Sequence, residues 1–161
     1  MRTELTLTRL SAALLVTVLV TVTAGCNKTD DPKSAETVIL VTGITVAGQS
    51  VSSATDTTAH IDYTTNSRNT TTVASSFYHD VTLTSYSVSF EPPVVAPMTG
   101  AISTGFCPAA QGACAIDLVL VPNGSKPGAG TAVVARIAVE GRDVNENPVN
   151  FTASAAISFT P

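Results

Sequence analysis

The sequence predicts an all-β protein, an antiparallel sandwich of about seven short strands. Three observations point there. Past the leader, apolar side chains recur at every second position in run after run, and no segment keeps a helical period. Turn residues punctuate those runs at short intervals, as in "EPP", "NGSKPGAG" and "NENP". Charged residues make up only 12% of the chain, and the polar remainder is largely Ser and Thr, which suit half-buried pleated surfaces.

The N-terminus stands apart from this pattern. "MRTELTLTR" sets Arg2 and Arg9 ahead of "LSAALLVTVLVTVTA". At about fifteen residues, that apolar stretch is short of the roughly 18–20 that span a bilayer, and it fits a secretory signal peptide over residues 1–25. It closes on Thr23-Ala24-Gly25, small side chains that suit a signal peptidase, directly before Cys26. Small residues followed by Cys resemble a bacterial lipobox, with Thr23 where Leu is usual. That resemblance implies a diacylglyceryl thioether on Cys26, with two or more acyl chains where one would bind only reversibly. Ordinary secretion with Cys26 as a spare thiol, or an uncleaved N-terminal anchor, are the other readings. Asn27 is not the Asp that favours inner-membrane retention, so an outer-membrane location is favoured over the inner.

Without residues 1–25 the chain has 136 residues; losing Arg2, Arg9 and Glu4 leaves a net charge of −5. An acidic chain with no Lys/Arg cluster lacks the footprint of a nucleic-acid binder. With Cys26 assigned to lipid, Cys107 and Cys114 of "CPAAQGAC" remain, and an even remainder in an oxidising compartment reads as one disulfide.

Residues 26–36, ending "NKTDDPKSAE", are polar and charged and read as a flexible tether. The sandwich domain is assigned to 37–161. "TVILVTGITVAG" opens it as a β-branched strand. "TAHIDYTT" places Ala59, Ile61 and Tyr63 on one face, and "NSRNTTTVASS" reads as a loop. In "DVTLTSYSVSFEPP" the apolar positions change phase: Val81 and Leu83 are odd, whereas Tyr86, Val88 and Phe90 are even. A β-bulge near Thr84-Ser85 would produce that change. "TGAISTGF" reads as one further strand. "CAIDLVLVP" is apolar on both faces beyond Asp117, which predicts a central strand. "TAVVARIAVEG" points Val133, Ala135, Ile137 and Val139 one way. "VNFTASAAISF" does the same with Val149, Phe151, Ala153, Ala155, Ile157 and Phe159.

Few residues offer chemistry. His60 lies in a strand and His79 just before another. Hydroxyl residues lie near both, as they lie near everything in this chain, so the ordinary reading is two partly exposed histidines on a β-surface. "GRDVNENPVNF" is the other candidate. Asp143, Asn145, Glu146 and Asn147 put four oxygen-bearing side chains into five positions, which a hard cation needs. The stretch resembles the cadherin calcium linker "DxNDNxPxF", with Glu146 for Asp and Val149 where proline stands. The same residues suit a tight turn. Val139 and Val149 both point inward, so Glu140 to Pro148 is expected to be the end of the last hairpin.

Taken together, "TAGC", "DVTLTSYSVSF" and "VARIAVEGRDVNENPVNFTASAAISF" resemble a group of small bacterial lipoproteins carrying one immunoglobulin-like or fibronectin-III-like sandwich. Their last hairpin has a "GxD…GN" turn. Gly141, Arg142, Asp143 and Asn147 match it, with Glu146 in place of the Gly. The resemblance implies the fold and an envelope location, and no activity. The expectation is a lipid-anchored, non-catalytic binding or structural module. It requires no cofactor, and its partners are the membrane through Cys26 and a protein of the envelope. The alternatives are a calcium-dependent adhesion-like module and an envelope enzyme using His60 or His79.

Overall fold

The computed structural model describes residues 37–67, 80–108 and 113–161. The leader, Cys26, the tether and His79 lie outside the described residues. Eight strands follow in order: β1 (Thr37–Ala47), β2 (Thr57–Ser67), β3 (Val81–Glu91), β4 (Met98–Ala101), β5 (Phe106–Cys107), β6 (Cys114–Val121), β7 (Ala132–Asp143) and β8 (Pro148–Ser158). One sheet has the order β1-β2-β6. The other runs β4-β3-β7-β8, with β5 on the same edge of β3 as β4. All neighbours within the sheets are antiparallel. The fold is the all-β antiparallel sandwich that the alternation predicts, and its strand order is that of an immunoglobulin-like fold whose fourth strand pairs with the third instead of joining the first sheet.

The strands form where side chains of one face can be buried together. β7 and β8 alternate buried and exposed along nearly their whole length, and their register sets Val139 opposite Phe151 and Ile137 opposite Ala153. Ala59, Ile61 and Tyr63 of β2 meet that face from the other sheet, all nearly fully buried. The Tyr63 and Phe151 rings stack across the interface with centroids 6.0 Å apart. A buried aliphatic or aromatic side chain here contributes about 1.5–3 kcal/mol.

The phase change in β3 is a bulge. Leu83 pairs with Gly141 and Ser85 with Glu140, so Thr84 is the extra residue. The bulge also organises the opposite edge. The Ile102 N–H donates to Thr84 O at 2.9 Å, and the Leu83 N–H donates to Gly105 O at 2.9 Å. The chain between β4 and β5 therefore loops out where β3 bulges, and the single strand expected from "TGAISTGF" is two pieces.

Two further expectations change. β6 is an edge strand, not a central one. Thr57 pairs with Val121 and Thr58 with Val119, and that register shift turns both Leu120 and Val121 inward. Apolar residues on successive positions thus record an irregularity and not two covered faces. β1 carries its own bulge between Val41 and Gly43, so Ile39 and Val41 before it and Ile44 and Val46 after it all face the core.

The two sheets are tied at both ends. Cys107 at the end of the second sheet and Cys114 at the start of β6 form a disulfide, with Cα atoms 5.8 Å apart. Thr37 and the β7–β8 turn lie at that same end, the N-terminal pole. At the far pole, Ser50 makes a parallel bridge to Thr160, so the chain after β1 pairs with the chain after β8. Between the poles the Tyr86 hydroxyl donates to Val119 O at 3.0 Å, joining β3 to β6. Gly100, opposite Tyr86, makes room for that ring, because a Cβ there would overlap it.

Candidate functional site

Three places hold the chemistry the described residues offer. The first is the β7–β8 turn. The Glu146 N–H donates to Asp143 O at 3.0 Å, closing a four-residue turn. Glu146 itself has φ +62°, the left-handed region where Gly is cheapest. Asp143 is 4% exposed, and its carboxylate accepts three hydrogen bonds. Oδ1 takes the N–H groups of Asn145 and Asn147 at 2.9 Å each, and Oδ2 takes the Asn147 side-chain amide at 3.2 Å. Glu146 reaches back to Arg142 at 3.2 Å. The carboxylate is thus turned into its own loop, with both oxygens engaged by that loop's donors. Asp143, Asn145, Glu146 and Asn147 form a hairpin cap, the turn that the facing strands predict.

The second place is His60. The β2–β6 register sets it directly opposite Asp117, and alternation sets Asp62 beside it on the same outer face. His60 Nδ1 lies 2.8 Å from Asp117 Oδ1, and Nε2 lies 3.4 Å from Asp62 Oδ1. The hydrogen bond to Asp117 raises the His60 pKa above its ordinary value; desolvation opposes it, and the charges of Asp117 and Asp62 add to the rise. Thr45 of β1 pairs opposite His60, so Thr45, His60 and Asp117 lie in one row across three strands.

That row has the composition of a nucleophilic triad but not its wiring. An activating base must direct a free ring nitrogen at the hydroxyl. Here the nitrogen not taken by Asp117 faces Asp62 instead. A histidine held more protonated between two carboxylates also presents less of its free-base form near neutral pH. The His60, Asp62 and Asp117 side chains are 48%, 50% and 79% exposed on an open sheet face. Among the described residues no group of three or more His, Cys, Asp or Glu has an arrangement that would hold a metal ion. The cluster can act as a surface ion pair and can respond to pH.

The third place was not expected from sequence. An open trough of about 600 Å³ lies on the outer face of the second sheet, lined in part by Ser87, Thr99, Arg136, Ala138, Thr152 and Ser154. Small outward side chains on four adjacent strands leave it hollow. Arg136 stands there paired to Glu91 at 2.6 Å. The signal was present as the run of Ser, Thr and Ala on the polar face of β3, β7 and β8, but only the strand order assembles it into one surface.

The loops of the far pole are held by specific bonds. Asp56 Oδ1 accepts the Asn123 N–H at 2.9 Å, and Lys126 Nζ donates to Ser50 O at 2.8 Å and Ser53 O at 3.3 Å. The Gly130 N–H donates to Phe159 O at 2.7 Å. Together these fix the 122–131 loop against the 48–56 loop and the end of the chain. A scan against protein-family models finds no match to this chain, and a search of curated proteins finds none either.

Proposed function

We propose that this protein is a lipid-anchored component of a bacterial cell envelope whose sandwich is a non-catalytic binding or structural module. The observation that carries this reading is the polarity of the domain. β1 begins at the N-terminal pole, so a tether from Cys26 would hold that pole toward the membrane and present the other outward. At the outward pole the 48–56 and 122–131 loops are cross-linked by the Asp56 and Lys126 bonds. Loops pre-organised in this way bind with less ordering cost than free ones, and loops on a rigid sandwich are common sites of recognition. Two side chains that the alternative readings would use support a structural role instead: His60, the described histidine of the enzyme reading, is engaged at both ring nitrogens, and Asp143, of the calcium reading, is used by its turn.

Fractionation of cells expressing the full chain and its Cys26→Ala variant tests the anchor. The full chain is expected with membranes and the variant in the soluble fraction. Retention of Cys26→Ala on membranes would refute lipidation as the anchor.

A further inference from the structure

We propose that the N-terminal pole is itself a lipid-contacting surface, in which Phe106 and Val144, set about Arg142, seat at the headgroup level of the bilayer that holds the anchor. The inference rests on the lipid-anchor reading above and adds a second, weaker contact to it.

Phe106 is 59% exposed and Val144 51%, the first the most exposed large apolar side chain among the described residues. They are close in the fold. Thr82 pairs with Phe106 on one side and Arg142 on the other, so Phe106 and Arg142 lie in one row across β5, β3 and β7. Neighbouring strands sit about 4.8 Å apart, which places Phe106 and Arg142 about 10 Å from each other. Val144 follows two residues later, in the turn that Asp143 makes rigid. The result is an aromatic ring, a guanidinium and an aliphatic side chain presented together at the end where β1 begins.

Chain length fits the bilayer as the occupant. Ten residues, 27–36, lie between the lipidated Cys26 and Thr37. Even fully extended they reach only about 40 Å, at 3.3–3.6 Å per residue. A pole so confined meets the surface at an effective concentration on the order of millimolar, so contacts too weak to bind a free domain are occupied. Arg142 suits this setting: its apolar stem can lie along the acyl boundary, and its head, paired at 3.2 Å with the exposed Glu146, can exchange that partner for phosphate. Val94 and Val134 are the exposed apolar residues toward the other pole and are carried away from the membrane by the same geometry.

The chain contains no Trp, so single introduced tryptophans report without background. Full-length F106W, V144W and V94W variants, purified with the anchor and reconstituted into vesicles of phosphatidylethanolamine and phosphatidylglycerol, would be compared with and without brominated acyl chains. Interfacial side chains sit about 5–10 Å into the headgroup boundary, so emission from F106W and V144W should shift to the blue and fall about twofold on bromination. V94W should stay water-like and unquenched. Unquenched emission from all three in anchored protein would overturn the lipid contact while leaving the anchor standing. Recovery of the unmodified full chain in the soluble fraction would overturn the anchor and the contact together. Matching melting curves for the three variants confirm that each comparison is made on folded protein.

Discussion

At the N-terminal pole two concentrated devices close the sandwich, a disulfide between the sheets and one buried carboxylate inside the last hairpin. At the far pole the same task is spread over several separate hydrogen bonds, from Asp56, Lys126 and Gln49 to neighbouring loops and the chain end. The difference teaches where single substitutions will be felt. A device with three donors on one buried carboxylate loses all three bonds at once when that carboxylate is removed. A network of exposed and half-buried bonds can lose any one and exchange it for water.

The largest effect should come from the disulfide. Replacing Cys107 and Cys114 together by Ser should lower stability by about 2–3 kcal/mol in the chain-entropy account of a short loop, read from denaturant unfolding. Asp143→Ala comes next, at about 1–3 kcal/mol, because the Asn145 and Asn147 N–H groups lose their acceptor. Lys126→Ala at the far pole should cost less than about 1 kcal/mol, the net worth of an ordinary hydrogen bond. If Lys126→Ala proved as damaging as Asp143→Ala, the contrast between the poles would be wrong.

Glu146→Gly sharpens the comparison from the other side. It relieves a non-glycine residue at φ +62° and loses only an exposed ion pair with Arg142, so it should stabilise by about 0.5–1 kcal/mol. Destabilisation would show that the Arg142 contact matters more than the backbone.

The smallest effect belongs to neither pole but to His60, midway along β2. Its pKa is raised in the folded state, so the stability it contributes is present below its unfolded value of about 6.5 and is lost as pH rises through the folded value. The melting advantage of the natural protein over His60→Gln should therefore be greater at about pH 5.5 than at about pH 8. An advantage independent of pH would mean that His60 acts through packing alone.

Much of this fold is legible in residue order because alternation is a direct record of burial. Val133 to Val139 and Val149 to Phe159 name their inward face without ambiguity, and the odd-to-even change after Leu83 marks the bulge. The same signal is present in β1, where Ile39 and Val41 give way to Ile44 and Val46 across its bulge. The place of β6 at an edge was not legible. Burial of adjacent Leu120 and Val121 by a register shift looks the same, in one dimension, as a strand covered on both faces. Long-range pairing hides the rest. Asp62 sits two residues from His60 and is visible as its neighbour, whereas Asp117 becomes its partner only through the β2–β6 register. The trough needs four strands in their spatial order. The role of Asp143 is half visible: the turn follows from the inward strands, but not the three hydrogen bonds its carboxylate accepts.

The comparison of the poles takes its functional meaning from the proposed anchor, and the intact mass of the protein extracted from membranes tests that most directly. The mass expected is that of a chain beginning at Cys26, increased by a diacylglyceryl group and an amide-linked acyl chain. An unmodified Cys26, or a chain that keeps residues 1–25, would contradict it.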